Sequence, residues 1–139
     1  MEICTDLPGD LIETLTKNNT RFAPPFSQPC GYSIWADEED GVDESDIQKY
    51  LEKLQYLTEH LDRLLKDAFR PEFYQFYGVN RERIGSPEEM REQLIVDSFV
   101  MDQGDGSVGI CLSNDWFMRG HFIECEWNDG WEFIASYIC

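Results

Sequence analysis

The spacing of apolar residues changes once along this chain, and that change limits the folds it can adopt. From Ile47 to Ala68, apolar residues recur every three or four positions, which predicts one long amphipathic helix over about Asp46 to Phe69. From Ile95 onward the period is two, which predicts strands. Helices followed by strands in a chain of 139 residues predict one α+β domain, helical over about 1–93 and a sheet over about 94–139.

The sheet is predicted to be a four-stranded antiparallel meander with the N-terminal helices packed on one of its faces. Its strands are predicted at Ile95–Asp102, Ser107–Ser113, His121–Trp127 and Trp131–Ile138, with a turn at Gln103–Gly106. Further elements are predicted from capping, proline and short apolar patterns. They are a helix at Pro8–Lys17, an extended connector at Arg21–Gly31, a short strand at Tyr32–Trp35, an N-cap at Ser45, and a capping box formed by Ser86 and Glu89 that starts a helix ending near Gln93.

The last hairpin has a turn sequence that predicts its register. Asn128-Asp129-Gly130 suits a three-residue loop with Gly130 in the left-handed conformation, so Trp127 should pair with Trp131. This register places Glu126 directly opposite Glu132, a like-charge pair that is tolerated if the acidic face is kept for binding. It predicts a helix-facing side that carries Trp127, Trp131, Cys125, Phe133, Ile123, Ala135, His121 and Tyr137, and an opposite side that carries Glu124, Glu126 and Glu132.

Negative charge is concentrated in two segments of the sequence. Asp37–Asp46 contains seven acidic residues and no base, and Leu94–Cys139 contains eight acidic residues and only Arg119 as a base. These segments carry fourteen of the seventeen net negative charges, whereas Ile47–Phe69 balances four acids with four bases. We therefore expect an acidic face for a basic protein partner, with a solvated rim as the alternative. The predicted partner-binding residues are Asp37, Glu38, Glu39, Asp40, Asp43, Glu44, Glu124, Glu126, Asp129 and Glu132.

The same charge argues against several other classes of partner and site. A strongly acidic protein is repelled by nucleic-acid phosphates and anionic lipids, so direct binding to either is not expected. The histidines His60 and His121 lack metal-ligand spacing, the loop Asp37–Glu44 lacks the ligand order of an EF-hand, and no nucleophile or phosphate-binding motif occurs. No catalytic residue, metal or cofactor is therefore predicted.

The cysteines and the N-terminus predict the location of the protein. The five widely spaced cysteines favour free thiols, and the N-terminus lacks a basic start and an apolar stretch, so a cytoplasmic protein is expected.

The aromatic run Phe73–Tyr77 is interpreted as a plug in the core, with a partner-binding patch as the alternative.

A family resemblance adds a specific function to this picture. The segment Asp115-Trp116-Phe117-Met118-Arg119-Gly120-His121-Phe122-Ile123, followed by the turn at Asn128–Gly130, resembles the C-terminal sheet of small acidic immunity proteins of bacterial polymorphic-toxin and contact-dependent-inhibition systems. The resemblance covers about 30 residues, counted from these segments. It implies a cytosolic inhibitor that binds one toxin domain, possibly a nuclease, and blocks its active site or substrate surface.

Two other functions remain open at the level of sequence. A nucleic-acid mimic that inhibits restriction or CRISPR machinery also needs many acids, but the charge balance of Ile47–Phe69 argues against it. A small enzyme or ligand-binding domain would need a pocket lined by Trp116, Tyr74 or Tyr77 and a carboxylate of raised pKa.

Overall fold

The computed structural model describes residues 2–3, 32–36, 41–78, 84–114 and 121–138. Within these ranges the chain is α+β, as predicted. The helices are α1 (Glu44–Ala68), α2 (Pro71–Phe73), which continues into a π-helical turn (Tyr74–Gly78), and α3 (Pro87–Gln93). The strands are β1 (Glu2–Ile3), β2 (Tyr32–Trp35), β3 (Ile95–Asp102), β4 (Val108–Ser113), β5 (Ile123–Trp127) and β6 (Phe133–Ile138). The elements predicted at Pro8–Lys17 and Arg21–Gly31 lie outside the described residues.

The described strands form one six-stranded mixed sheet, which corrects the predicted four-stranded antiparallel meander. Its strand order is β1-β3-β4-β5-β6, and β2 also pairs with β3. The pairs among β3, β4, β5 and β6 are antiparallel, whereas β1 and β2 run parallel to β3. β3 can hold both because β1 pairs with its first two residues and β2 pairs with Phe99–Asp102. The strand predicted at Tyr32–Trp35 is therefore confirmed, but it belongs to the sheet.

The apolar side of helix α1 and one face of the sheet contribute residues to the same hydrophobic cluster. Its buried residues, including Leu57 and Leu65, form one cluster with the sheet residues Phe99, Ile110 and Trp127. The hydroxyl of Tyr50 donates to Phe99 O at 2.6 Å, and the two rings lie 4.9 Å apart, so this contact is polar as well as apolar. The predicted placement of the first N-terminal helix stays a prediction. No helix within the described ranges is long and apolar enough to cross a membrane.

The N-cap of α1 is Asp43, which corrects the prediction of Ser45. Asp43 Oδ1 accepts from Asp46 N at 2.9 Å, and Asp46 Oδ2 accepts from Asp43 N at 3.1 Å, which is a reciprocal capping box. Ser45 instead donates its hydroxyl to Asp43. An aspartate cap outcompetes the serine here because a matching acid lies three residues after it.

Helix α3 begins at its predicted cap. Ser86 Oγ accepts from Glu89 N, and Pro87 occupies the first helical position, where a missing N–H costs nothing. The side chain of Glu89 accepts from Gly85 N rather than from Ser86 N, so the reciprocal bond reaches one residue further back than predicted.

The aromatic run between α1 and α3 divides between core and surface. Phe73 is buried, and Tyr74 packs against the core and donates its hydroxyl to Ile84 O. Phe76 is 65% exposed. The interpretation of the run as a core plug therefore holds for Phe73 and Tyr74 and is wrong for Phe76.

The register predicted for the last hairpin is wrong. Trp127 pairs with Phe133, and Glu126 pairs with Ala135, so Ile134 is an extra residue at a β-bulge. Asn128–Glu132 forms the loop, in which Trp131, not Gly130, has a positive φ of 66°. Because a bulge inserts one residue, the later part of β6 turns over relative to the prediction. Ser136 and Ile138 therefore share the face of Cys125 and Ile123, while Tyr137 lies opposite Glu124.

Candidate partner-binding surface

The described end of the first acidic segment lies beside the β3–β4 turn. Gln103 links them, because its side-chain amide nitrogen lies 2.6 Å from Gly41 O and 2.7 Å from Asp46 Oδ2. The backbone N–H of Gln103 also donates to Trp35 O at the end of β2. One glutamine thus holds the start of α1, the turn and the end of β2 together.

The β5–β6 loop meets the same turn from its other side. Gly106 has a φ of 75°, and a Cβ placed on it would overlap the carboxylate of Asp129. Asp129 Oδ1 lies 2.8 Å from Lys53 Nζ and 3.5 Å from Lys49 Nζ, both on α1. The backbone oxygen of Asp129 accepts from Lys53 as well. These contacts bring residues 41–46, the β3–β4 turn and the β5–β6 loop to one end of the domain.

We use the term acidic end for the exposed carboxylates that these contacts collect at that end of the sheet. They are Asp43, Glu44, Asp105, Asp129 and Glu132.

Three of these carboxylates have lowered pKa values, so they are ionised at neutral pH. The backbone N–H of Asp46 is the main cause at Asp43. At Asp105 the pKa is lowered mainly by the Ser107 hydroxyl, which lies 2.6 Å away. At Asp129 the hydrogen bond and charge of Lys53 lower the pKa. Asp129 is therefore partly neutralised by α1, while Asp105 keeps its full charge beside it.

The structure distributes the ten predicted residues unevenly. Asp43, Glu44, Asp129 and Glu132 lie at the acidic end. Asp37, Glu38, Glu39 and Asp40 lie outside the described residues and directly precede Gly41 in the chain. Glu124 and Glu126 lie on β5, where Glu124 is buried and Glu126 is half-buried, so the predicted exposed rim of the terminal hairpin is corrected at Glu124.

Glu124 is buried, contrary to the prediction of an exposed binding residue. It pairs with Cys111 on β4 and with Tyr137 on β6, so strands flank it on both sides. The Tyr137 hydroxyl lies 2.8 Å from Glu124 Oε2 and supplies a hydrogen bond that a buried carboxyl needs. A partner therefore cannot reach Glu124 as it reaches a surface residue.

Glu126 is half-buried and shares Tyr137 with Glu124. The Tyr137 hydroxyl lies 3.1 Å from Glu126 Oε1, but a phenol has only one proton to donate. Burial raises the pKa of Glu126, and the bond with Tyr137 opposes that shift. Burial and the Glu124 hydrogen bond also raise the pKa of Tyr137, so the phenol stays neutral. The predicted contact between Glu126 and Glu132 does not form, because Glu126 lies opposite Ala135.

A group of aromatic rings borders the acidic end. The Trp131 ring stacks on Tyr56 of α1 at 4.7 Å, and Tyr56 lies 4.3 Å from the ring of His60. Lys53 lies 5.7 Å from the centre of the Trp131 ring. His60 itself has φ −120° and ψ 17°, which kinks α1 at this point.

Sequence reasoning missed Gln103, Asp105 and Lys53 as organising residues of this surface. Asp105 had a local signal, because an aspartate two residues before Ser107 favours a side-chain turn. Gln103 and Lys53 had none, since their partners lie far away in the sequence. Among the described side chains, no group of three or more histidines, cysteines or acids is arranged to hold a metal ion.

Comparisons with protein-family models, with curated proteins and with solved structures found no match to this chain.

Proposed function

We propose that this protein is a non-enzymatic acidic inhibitor that binds a basic partner protein, as the immunity protein of a bacterial toxin does. One observation carries the proposal: residues 41–46 of the first acidic segment contact the β3–β4 turn through Gln103, and Asp129 of the β5–β6 loop lies against the same turn. The five exposed carboxylates of the acidic end outnumber the two lysines beside Asp129, so this surface keeps a net negative charge. Such a field speeds the approach of a basic protein and repels nucleic acids.

The chemistry of a nuclease toxin suits this surface. An enzyme that grips phosphates presents lysine and arginine at its substrate site, and an acidic surface complements those groups. Asp105 and Glu132 are candidates for direct contact, because both are exposed on the turn and loop beside Asp129 and neither pairs with a lysine or arginine among the described residues. The resemblance of Asp115–Ile123 to immunity proteins supports the same function, and we propose a cytoplasmic site of action on that basis.

Two charge reversals test the proposal against a matched control. The probe is the purified product of the adjacent reading frame, and its association rate is measured at low and at physiological salt. We expect Asp105→Lys with Glu132→Lys to slow association by about tenfold or more and to weaken its salt dependence.

The control is Glu88→Lys with Glu92→Lys, which changes the net charge equally on exposed positions of α3, next to the start of β3. It should alter the rate by no more than about twofold, since a charge beyond the Debye length is screened. If both pairs of substitutions slowed association equally, the acidic residues would serve solubility and not partner binding. A wild-type protein that neither binds this probe nor protects cells from it would rule out the immunity function.

One observation favours a second candidate, a small ligand-binding or catalytic domain. Tyr137 lies between two carboxyl groups, and the pKa of Glu126 is raised, as in proton-transfer sites. A thermal-shift screen of small polar metabolites tests it. A compound that stabilises the wild type but not Tyr137→Phe would support this candidate, and a screen without such a compound would argue against it.

A further inference from the structure

The last strand of the sheet forms a continuous edge. β6 pairs with β5 on one side, and no other described strand pairs with it. The opposite edge is different, because it is divided between the two-residue β1 and the four-residue β2. Short edge strands limit pairing with other chains, and β6 does not have that protection.

The sequence of β6 also lacks the residues that usually protect an edge. Phe133–Ile138 contains no charge, no proline and no glycine. Within β6 itself, the protective feature is the bulge at Ile134, which interrupts regular pairing at that residue and leaves Ala135–Ile138 as a regular run. The bulge also turns Ile134 outward, where 53% of it is exposed.

The negative charge around this edge decides which kind of strand can pair with β6. The acidic end reaches β6 directly, because Glu132 precedes Phe133, and half-buried Glu126 lies opposite Ala135. A second copy of this chain would bring another net charge of −17 to the edge, so self-pairing is opposed by repulsion. A basic segment is attracted by the same charges.

We propose that the β6 edge binds an extended basic segment of the partner protein by strand addition along Ala135–Ile138, with Ile134 as an apolar anchor beside it. Backbone hydrogen bonds supply the pairing, and flanking lysine or arginine side chains of the partner meet Glu126 and Glu132. The inference rests on the proposed function, because it specifies how a basic partner is held once the acidic end has attracted it.

A synthetic strand tests the proposal without knowledge of the partner. The probe is a peptide of alternating lysine and valine, about ten residues long, a length that covers a strand of the usual size. We expect it to bind the full-length protein and to slow amide hydrogen exchange at Ala135–Ile138. The same peptide with N-methyl groups on alternate amides keeps its charge but cannot pair as a strand, so its affinity should fall by about tenfold or more.

Two variants of the protein complete the test. Ile134→Lys should weaken binding of the unmethylated peptide by about tenfold, because it removes the anchor and places a cation on the edge. Phe76→Lys is the control, since Phe76 is also exposed and the change in net charge is identical. It should bind like the wild type, and thermal unfolding establishes that both variants fold.

Several results would overturn the inference. Equal binding of the methylated peptide would mean attraction by charge alone. Absence of binding, or protection confined to Asp43–Asp46, would exclude β6 as the docking edge. A dimer in sedimentation that Ile134→Lys abolishes would assign the edge to a second copy. The proposed function would still stand after each of these results if association with the product of the adjacent reading frame still depended on Asp105 and Glu132.

Discussion

The ammonium of Lys53 lies 2.8 Å from the carboxylate of Asp129, which is 76 positions further along the chain. The side chain of Lys53 is only 8% exposed, whereas that of Asp129 is 58% exposed. The pair therefore joins a nearly buried cation to a surface anion. It ties the β5–β6 loop to α1 and so holds two parts of the acidic end together.

We expect Asp129→Asn to lower the free energy of unfolding by about 1 kcal/mol at neutral pH, because it leaves the nearly buried Lys53 without its counter-ion and the exposed partner is screened. The lowered pKa of Asp129 means that this stabilisation exists above pH 3.8 and is lost as pH falls below it. Urea unfolding of the wild type and of Asp129→Asn measures this difference in the free energy of unfolding at neutral pH and near pH 3. If Asp129→Asn has no effect in a Lys53→Met background, the loss belongs to this pair.

Two glycines with positive φ allow the cost of backbone strain to be separated from the cost of a steric clash with Asp129. We expect Gly41→Ala, with φ 62° and open space around it, to cost about 1 kcal/mol from backbone strain alone. Gly106→Ala should cost more than that, since its methyl group also collides with Asp129. Chemical unfolding of both variants gives the comparison. Equal losses would mean that Asp129 moves away freely and does not hold the turn against the loop.

The left-handed conformation of Trp131 predicts an unusual order of stability. Trp131→Ala loses the stack on Tyr56 but keeps the unfavourable backbone, whereas Trp131→Gly loses the stack and relieves the strain. The glycine variant should therefore be more stable than the alanine variant by about 1 kcal/mol. Both should be less stable than the wild type, because the buried part of the ring outweighs the strain. Thermal unfolding of the three proteins decides the order, and an alanine variant as stable as the glycine variant would refute the strain.

The raised pKa of Glu126 predicts that its charge weakens the fold. The pKa of this carboxyl is higher in the folded state than its ordinary value of 4.5. The folded protein therefore loses stability as pH rises from 4.5 through the pKa of the folded state. We expect Glu126→Gln to be more stable than the wild type at pH 7, by at most about 1 kcal/mol because the group is half-exposed. The difference should vanish below pH 4.5. A variant that is less stable at pH 7 would indicate that Glu126 is needed as an anion beside Tyr137.

The elements that follow from local pattern were predictable from sequence. The bounds of β3 and the start of α3 are as predicted, because alternation and a serine cap with proline after it are local signals. β1 has only two residues, so it carries no period and was not predicted. The register predicted for β6 was wrong because the loop has its positive φ at Trp131 instead of Gly130, and a bulge follows at Ile134.

The candidate site was predictable in composition but not in arrangement. Asp43, Glu44, Asp129 and Glu132 were predicted to bind a partner, and all four side chains are exposed. That the two segments meet depends on Gln103, whose partners at Gly41 and Asp46 lie about sixty positions earlier. Glu124 was misplaced because strand alternation tells which face a residue takes, but not whether that face is covered.

The parallel pairing of β1 and β2 with β3 has a consequence for the order of folding. Both strands are synthesised before α1, yet their partner β3 follows it, so neither can pair until most of the chain has been made. The β3–β4 and β5–β6 hairpins need only short loops to close and can form early. We expect the joining of β1 and β2 to β3 to be the slow step, because loop-closure entropy must be overcome before those contacts form. Until that step, the outer edge of β3 is open to pairing with other chains.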